Sequence, residues 1–295
     1  MHLSPRLIPI LALALVTGTA ASRAEGNAPP SALRQAWEDM RLGRWDMAES
    51  ALIPLTVARN ADPAAEALYA TGNLWLHRKP GADPARAREA FAEISRRFPS
   101  HPLAAWADLA SARIPELDVL RPDPSTAAKL YLGVMERFPS SPAAGEAALH
   151  RVLALASLGE IENTRKAVLE LEAWWLNHPH PSLACAYEAT LGRLWRFPLN
   201  DPRRAVEHLR RALDLGPASL IQRQGICWTI ARLSEEGLHD AALATTYYTR
   251  FVKDFPRHQN AFGAIQALQR LGAPLPAVED TSLEGLRARQ TGGTR

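Results

Sequence analysis

The sequence predicts an all-α protein: a solenoid of about six helical hairpins closed by a C-terminal capping helix. Prolines at 99, 139, 179, 217 and 256 recur at separations of 40, 40, 38 and 39 positions. Before each of them stands the same helical face, and several of these helices open on an Asp-Pro pair. With 47% hydrophobic and 22% charged residues, the 295-residue chain has enough apolar matter to fold, which excludes wholesale disorder.

Residues 1–24 read as a secretory signal. Arg6 gives a positive start, Leu7–Val16 (LIPILALALV) an apolar run, and Thr19-Ala20-Ala21 or Ser22-Arg23-Ala24 a small-x-small cleavage site. The run is about half the roughly 20 residues a spanning helix needs, so no membrane span is expected. The first cysteine is Cys185, so a lipid-anchored mature N-terminus is not expected, and the protein should be periplasmic or secreted. Removing residues 1–24 takes away Arg6 and Arg23 and no acid, leaving 32 basic against 31 acidic residues. A net charge of +1 predicts no general attraction to nucleic acid or anionic lipid.

After a short linker, 25–30, the repeat domain spans 31–271. Its first hairpin is announced by Gly43-Arg44-Trp45, then Ala48 and Leu52, and Asp62-Pro63 reads as the opening of the next helix. Further along, the register tightens. Twelve residues before the prolines stand Ala87, Ala127, Ala167, Ala205 and Ala244. Eight before stand Phe91, Tyr131, Leu171, Leu209 and Tyr248, and five before Ile94, Val134, Trp174, Ala212 and Phe251. This spacing is one face of an α-helix, with alanine where two helices come close.

Asp83-Pro84, Asp123-Pro124 and Asp201-Pro202 start such helices. Aspartate accepts free amide protons of the first turn, and proline suits the first helical position. The closing proline then pushes its predecessor out of the α region and ends the helix. Eight residues after the closing prolines come Ala107, Ala147, Tyr187, Gly225 and Ala264, mostly small, as close packing of the other helix of each hairpin requires. A lone helix from about Asn260 to Leu271 would cap the stack, and 272–295, rich in Gly, Pro and Thr, reads as a mostly disordered tail.

The Gly43–Trp45–Ala48 pattern and the Ala87–Phe91–Ile94–Pro99 series resemble the tetratricopeptide (TPR) repeat family. The period is nearer 40 than the family's usual 34 or so. RRFPSHPLAAWA and ERFPSSPAAGEAAL look most like the variant found in bacterial envelope proteins. The resemblance implies a groove lined by the first helices of the hairpins. Carried onto this sequence, its groove positions are Asp108, Ser111, Arg151, Glu188, Gln222 and Thr229. Trp175 joins them as a candidate contact, because it neighbours the core position of Trp174 and so points elsewhere.

No HExxH, Gly-x-Ser-x-Gly, P-loop or paired CxxC occurs, so neither catalytic residues nor cofactors are expected. His178 and His180 flank Pro179 in a loop without the close ligand pairs of a metal site. Glu235-Glu236 reads as a solvated helix end. Cys185 and Cys227 fall on first helices of adjacent units; a disulfide and two separate thiols both remain open.

The expected function is that of a periplasmic scaffold or adaptor, not an enzyme, binding a protein or peptide partner in the cell envelope. The alternative is an accessory subunit, peripherally associated, of a polysaccharide or cell-wall synthesis or export complex. A glycan-active enzyme on an α/α-toroid is the remote third reading.

Overall fold

The computed structural model describes residues 31–117, 121–217 and 219–276. The expected signal, the linker and most of the expected tail lie outside these residues. Thirteen α-helices and no strand occur among them: α1 (Ser31–Arg41), α2 (Trp45–Thr56), α3 (Ala61–Asn73), α4 (Pro84–Arg97), α5 (Pro102–Leu117), α6 (Pro124–Arg137) and α7 (Pro142–Ser157), then α8 (Ile161–Asn177), α9 (Ala184–Arg196), α10 (Pro202–Asp214), α11 (Leu220–Arg232), α12 (Ala241–Asp254) and α13 (Ala261–Arg270). They pair as six hairpins, α1/α2 through α11/α12, and α13 covers the open side of α12. The chain is a tetratricopeptide-like helical solenoid.

The caps explain the boundaries. Asp83 accepts from the amides of Ala85 and Arg86, Asp123 from Thr126, and Asp201 from Arg204. At the second hairpin the reading shifts. Asn60, not Asp62, is the cap of α3, accepting from the Asp62 amide, so Asp62-Pro63 sits inside the first turn. Asp240 caps α12 through the Leu243 amide without a following proline.

The repeated face is the core. All the alanines twelve before the prolines are buried, as are the large residues eight before them, Phe91 and Tyr131 completely. Each such aromatic contributes about 2–3 kcal/mol through the area it removes from water. Of the third series only Trp174 is not fully buried. Gly72 on α3 lets the ring of Phe91 on α4 lie directly on its backbone; a Cβ there would collide with the ring. Gly225 departs from expectation. It is exposed, and the small residue buried in α11 is Cys227, two positions on.

Buried apolar side chains gather into four patches rather than one core: α1–α3, α3–α5, α5–α10 and α10–α13. From α1 to α9, each first helix touches the first helix of the next hairpin, whereas second helices stay further apart. First helices therefore line the inside of the curve.

Candidate functional site

Polar groups gather among α3, α5, α6 and α7. Arg113, on α5, lies within electrostatic reach of Tyr69 and His77 from α3 and the turn after it, Glu116 on its own helix, Tyr131 on α6, and Glu146 and His150 on α7. The helical period makes the cluster possible. Arg113 and Glu116 are three apart on α5 and Glu146 and His150 four apart on α7, so each pair shares a face.

Tyr131 is the aromatic of the repeated core face. Its ring is buried against His150, with centroids 5.5 Å apart and nearly parallel, and its hydroxyl donates to Glu116. Burial, helped by the Glu116 carboxylate, pushes the tyrosine hydroxyl far above its usual range. Burial raises both carboxyls: Glu116, against the opposing pull of Tyr131 and Arg113, and Glu146, against Arg113 alone. The imidazole of His150 is driven down to about 4 by burial, with the Arg113 charge adding to it, so it is neutral at pH 7. Glu146 is only 8% exposed.

A second cluster joins the fourth and fifth hairpins. His208 on α10 lies 2.7 Å from Glu188 on α9 and 3.4 Å from Glu172 on α8. Trp195 donates its indole N–H to Glu172 and carries the Arg204 guanidinium 4.3 Å from its ring centroid. Burial lowers the pKa of His208, but the two carboxylates outweigh it and the net shift is upward. Trp175 stacks on Tyr187 with centroids 4.1 Å apart, and Trp174 stacks on His178 at 4.7 Å.

The residues carried over from the family resemblance fall elsewhere. Asp108 accepts from Ser95 on α4 and pairs with Arg137 on α6, so it ties second helices together. Ser111, three residues on, shares its face and is half-buried. Arg151 pairs with Glu170 on α8 at 3.0 Å, and Glu188 is held by His208. Gln222 is exposed in the first turn of α11, where Ser219 caps its amide, and Thr229 accepts from Arg196 of α9 at 3.4 Å. One face of Trp175 is occupied by Tyr187. None of these joins the Arg113 cluster. The signal that would have found it is a pair of polar residues at helical spacing among buried alanines, as Glu146 and His150 are.

Cys185 and Cys227 are free thiols. Cys185 lies against the Ala212 carbonyl of α10 and Cys227 against the Tyr247 carbonyl of α12, so each turns to the partner helix of its own hairpin. The bridge left open by the sequence does not form. Glu235 is not merely solvated: it accepts from Tyr248 of α12 and Arg270 of α13, tying the capping helix down. Among the described residues no group of three or more His, Cys, Asp or Glu is arranged for a metal ion, and no helix is long and apolar enough to cross a membrane.

No family model matches the sequence. No curated protein matches it either. Among solved structures, the chain is similar to PilW, described as a widely conserved type IV pilus biogenesis factor. The TM-score is 0.52 at 14% identity, over 79% of this chain and 96% of that one. At that identity the likeness concerns the fold.

Proposed function

We propose that the chain is an exported scaffold or adaptor that holds a protein or peptide segment against its first helices, in the bacterial cell envelope. The observation that carries this reading is a helical stack whose first helices touch from hairpin to hairpin, with polar groups such as Glu146 buried among them. Burying such groups costs stability, and stacking alone does not ask for them. A curved solenoid also offers an extended inner surface for an elongated partner. The charged and apolar start of the sequence, read above as an export signal, supports the compartment. The fold shared with PilW supports work in an envelope assembly, with pilus assembly as one instance.

The second reading, an accessory subunit docked through its outer surface, is favoured by Leu176, which stands 83% exposed on the second helix α8. A photo-crosslinking residue at Ala110, on the inner face, and another at Leu176 separate the two. Under the groove reading, envelope proteins are captured from Ala110 and not from Leu176. The reverse pattern overturns it, and recovery of carbohydrate alone overturns both.

A further inference from the structure

We infer that the exposed face shared by α9 and α11 takes an acidic segment of the partner, an extended stretch carrying aspartate or glutamate side chains. This rests on the groove reading above and gives the partner's chemistry there.

Two guanidiniums on this face lack a carboxylate. Arg193 and Arg196 are exposed in the last turn of α9, and Arg196 crosses to the Thr229 hydroxyl of α11 at 3.4 Å. Arg193 donates to the Thr190 hydroxyl of its own helix at 3.2 Å. Neither pairs with an acid among the described residues. A guanidinium has several N–H donors in a fixed fork, so most of them stay free for a ligand. Nearby arginines differ: Arg232 is held by Glu236 at 2.6 Å, and Arg270 by Glu235 at 2.8 Å.

The surroundings do not supply the missing acid. No Asp or Glu stands three or four positions from Arg193 or Arg196. The one acid of α9, Glu188, lies 2.7 Å from His208, and α11 has none. Two like charges one turn apart repel, and the negative end of the helix would be met by one of them. Packing therefore does not ask for the pair. An incoming carboxylate does, because a guanidinium binds it through two parallel N–H bonds.

The face is open as well as charged. Direct packing between successive first helices, present from α1 to α9, falls away between α9 and α11. Ala186 and Ala189 share the face of Arg193 on α9. Gln222, Gly225 and Thr229 share one face of α11, and a Cβ added at Gly225 would meet nothing within 4 Å. An extended chain can therefore come close. Carboxylates two residues apart on such a chain point to one side about 7 Å from each other, a span that two arginines one turn apart can meet. Phe197 is 67% exposed next to Arg196, and Ile221 79% exposed next to Gln222. Apolar surface beside the charges suits a peptide better than a layer of phosphates.

The test titrates the full chain into three fluorescein-labelled, C-terminally amidated octapeptides, in which alanine alternates with glutamate, glutamine or lysine. Fluorescence anisotropy reports binding. The glutamate peptide should bind with a Kd on the order of 0.1 mM at low salt and weaken as salt is added. The glutamine peptide should bind about tenfold more weakly, and the lysine peptide not at all. Arg193→Gln and Arg196→Gln should each weaken the glutamate peptide about fivefold. Arg210→Gln, the same charge change on the second helix α10, should leave it unchanged.

Equal binding of the glutamate and glutamine peptides would overturn the proposal, as would a loss in Arg210→Gln equal to that in Arg193→Gln. Should Arg193→Gln misfold by circular dichroism, Arg196→Gln is read in its place under the same criteria. Adsorption to phosphatidylglycerol vesicles without peptide binding would give the face to a lipid surface and overturn the proposal too. The crosslinker at Ala110 keeps the two ideas apart. Captured protein with no preference for the glutamate peptide sinks the acidic segment alone; peptide binding with no captured protein sinks the groove reading alone.

Discussion

The α5–α7 region and the α8–α10 region sit in one stack with one period, yet they are joined by different chemistry. In the first, α5, α6 and α7 meet over Ala105, Ala112, Ala127, Ala143 and Ala147, all buried, and backbones approach closely. In the second, α8 and α9 stand further apart, and Trp174, Trp175, Tyr187 and Trp195 span the gap with the Glu172–His208–Glu188 chain. A repeat therefore fixes the spacing of helices along the chain without fixing what holds neighbours together. Small residues bring the helices together at one junction, and large rings span the gap at the other; each carries an imidazole, held neutral at His150 and between carboxylates at His208.

The strongest way to break the contrast is Trp175→Ala. Removing a half-buried indole stacked on Tyr187 should cost about 3 kcal/mol and raise amide exchange in α8 and α9 before α5 and α6. A loss below about 1 kcal/mol, read by thermal or urea unfolding, would show that the rings do not hold this junction. Ala147→Leu should cost about 2 kcal/mol by forcing α6 and α7 apart, and its exchange should rise in those helices instead. Loss spread evenly over both regions would mean that the stack has no such division.

Histidine sharpens the contrast, because His208 and His150 should respond to acid with opposite sign. The folded pKa of His208 lies above its ordinary value, so its contribution is complete below about pH 6.5 and is lost as pH rises through the folded value. Glu172, lowered by its bond to His208, loses its contribution as pH falls through its own folded value. The clasp is thus firmest between the carboxylate range and about pH 6.5. His150, at about 4, runs the other way: between about pH 6.5 and 4 the unfolded chain binds the proton first, and stability falls by on the order of 2–3 kcal/mol. Acidifying from pH 7.5 to 5.5 should protect α8–α10 amides relative to α5–α7. In His208→Gln the gain at α8–α10 should vanish.

The smallest expected effect is a gain. Glu146 has its folded pKa raised, so ionising it costs stability once pH rises above the ordinary carboxylate range. Glu146→Gln should raise the Tm at pH 7 slightly, a difference that disappears near pH 4.

The hairpin order, the core face and the capping helix were legible because proline, aspartate and alanine act locally. Ala127 and Phe91 occupy the face that their spacing assigns. Where reading failed, the deciding contact came from another hairpin or from a loop of different length. Asn60 displaced Asp62 as cap by position in the turn, and Cys227, not Gly225, is the small residue buried in α11. Trp174, which its spacing assigns to the core, and Trp175, the candidate partner contact, both stack on neighbouring rings. Asp108 and Arg151 pair with Arg137 and Glu170 of second helices, contacts made by side chains far away in sequence.

The division of apolar burial into four patches has a mechanical consequence. Force applied between the two ends of the stack is borne by a series of separate seams, none of which shares all its members with the next. Extension can open one seam and leave the others shut, so the molecule would yield in steps and recover from either side of the break. Such a body behaves as a jointed strut, able to take up slack between two partners that move relative to each other.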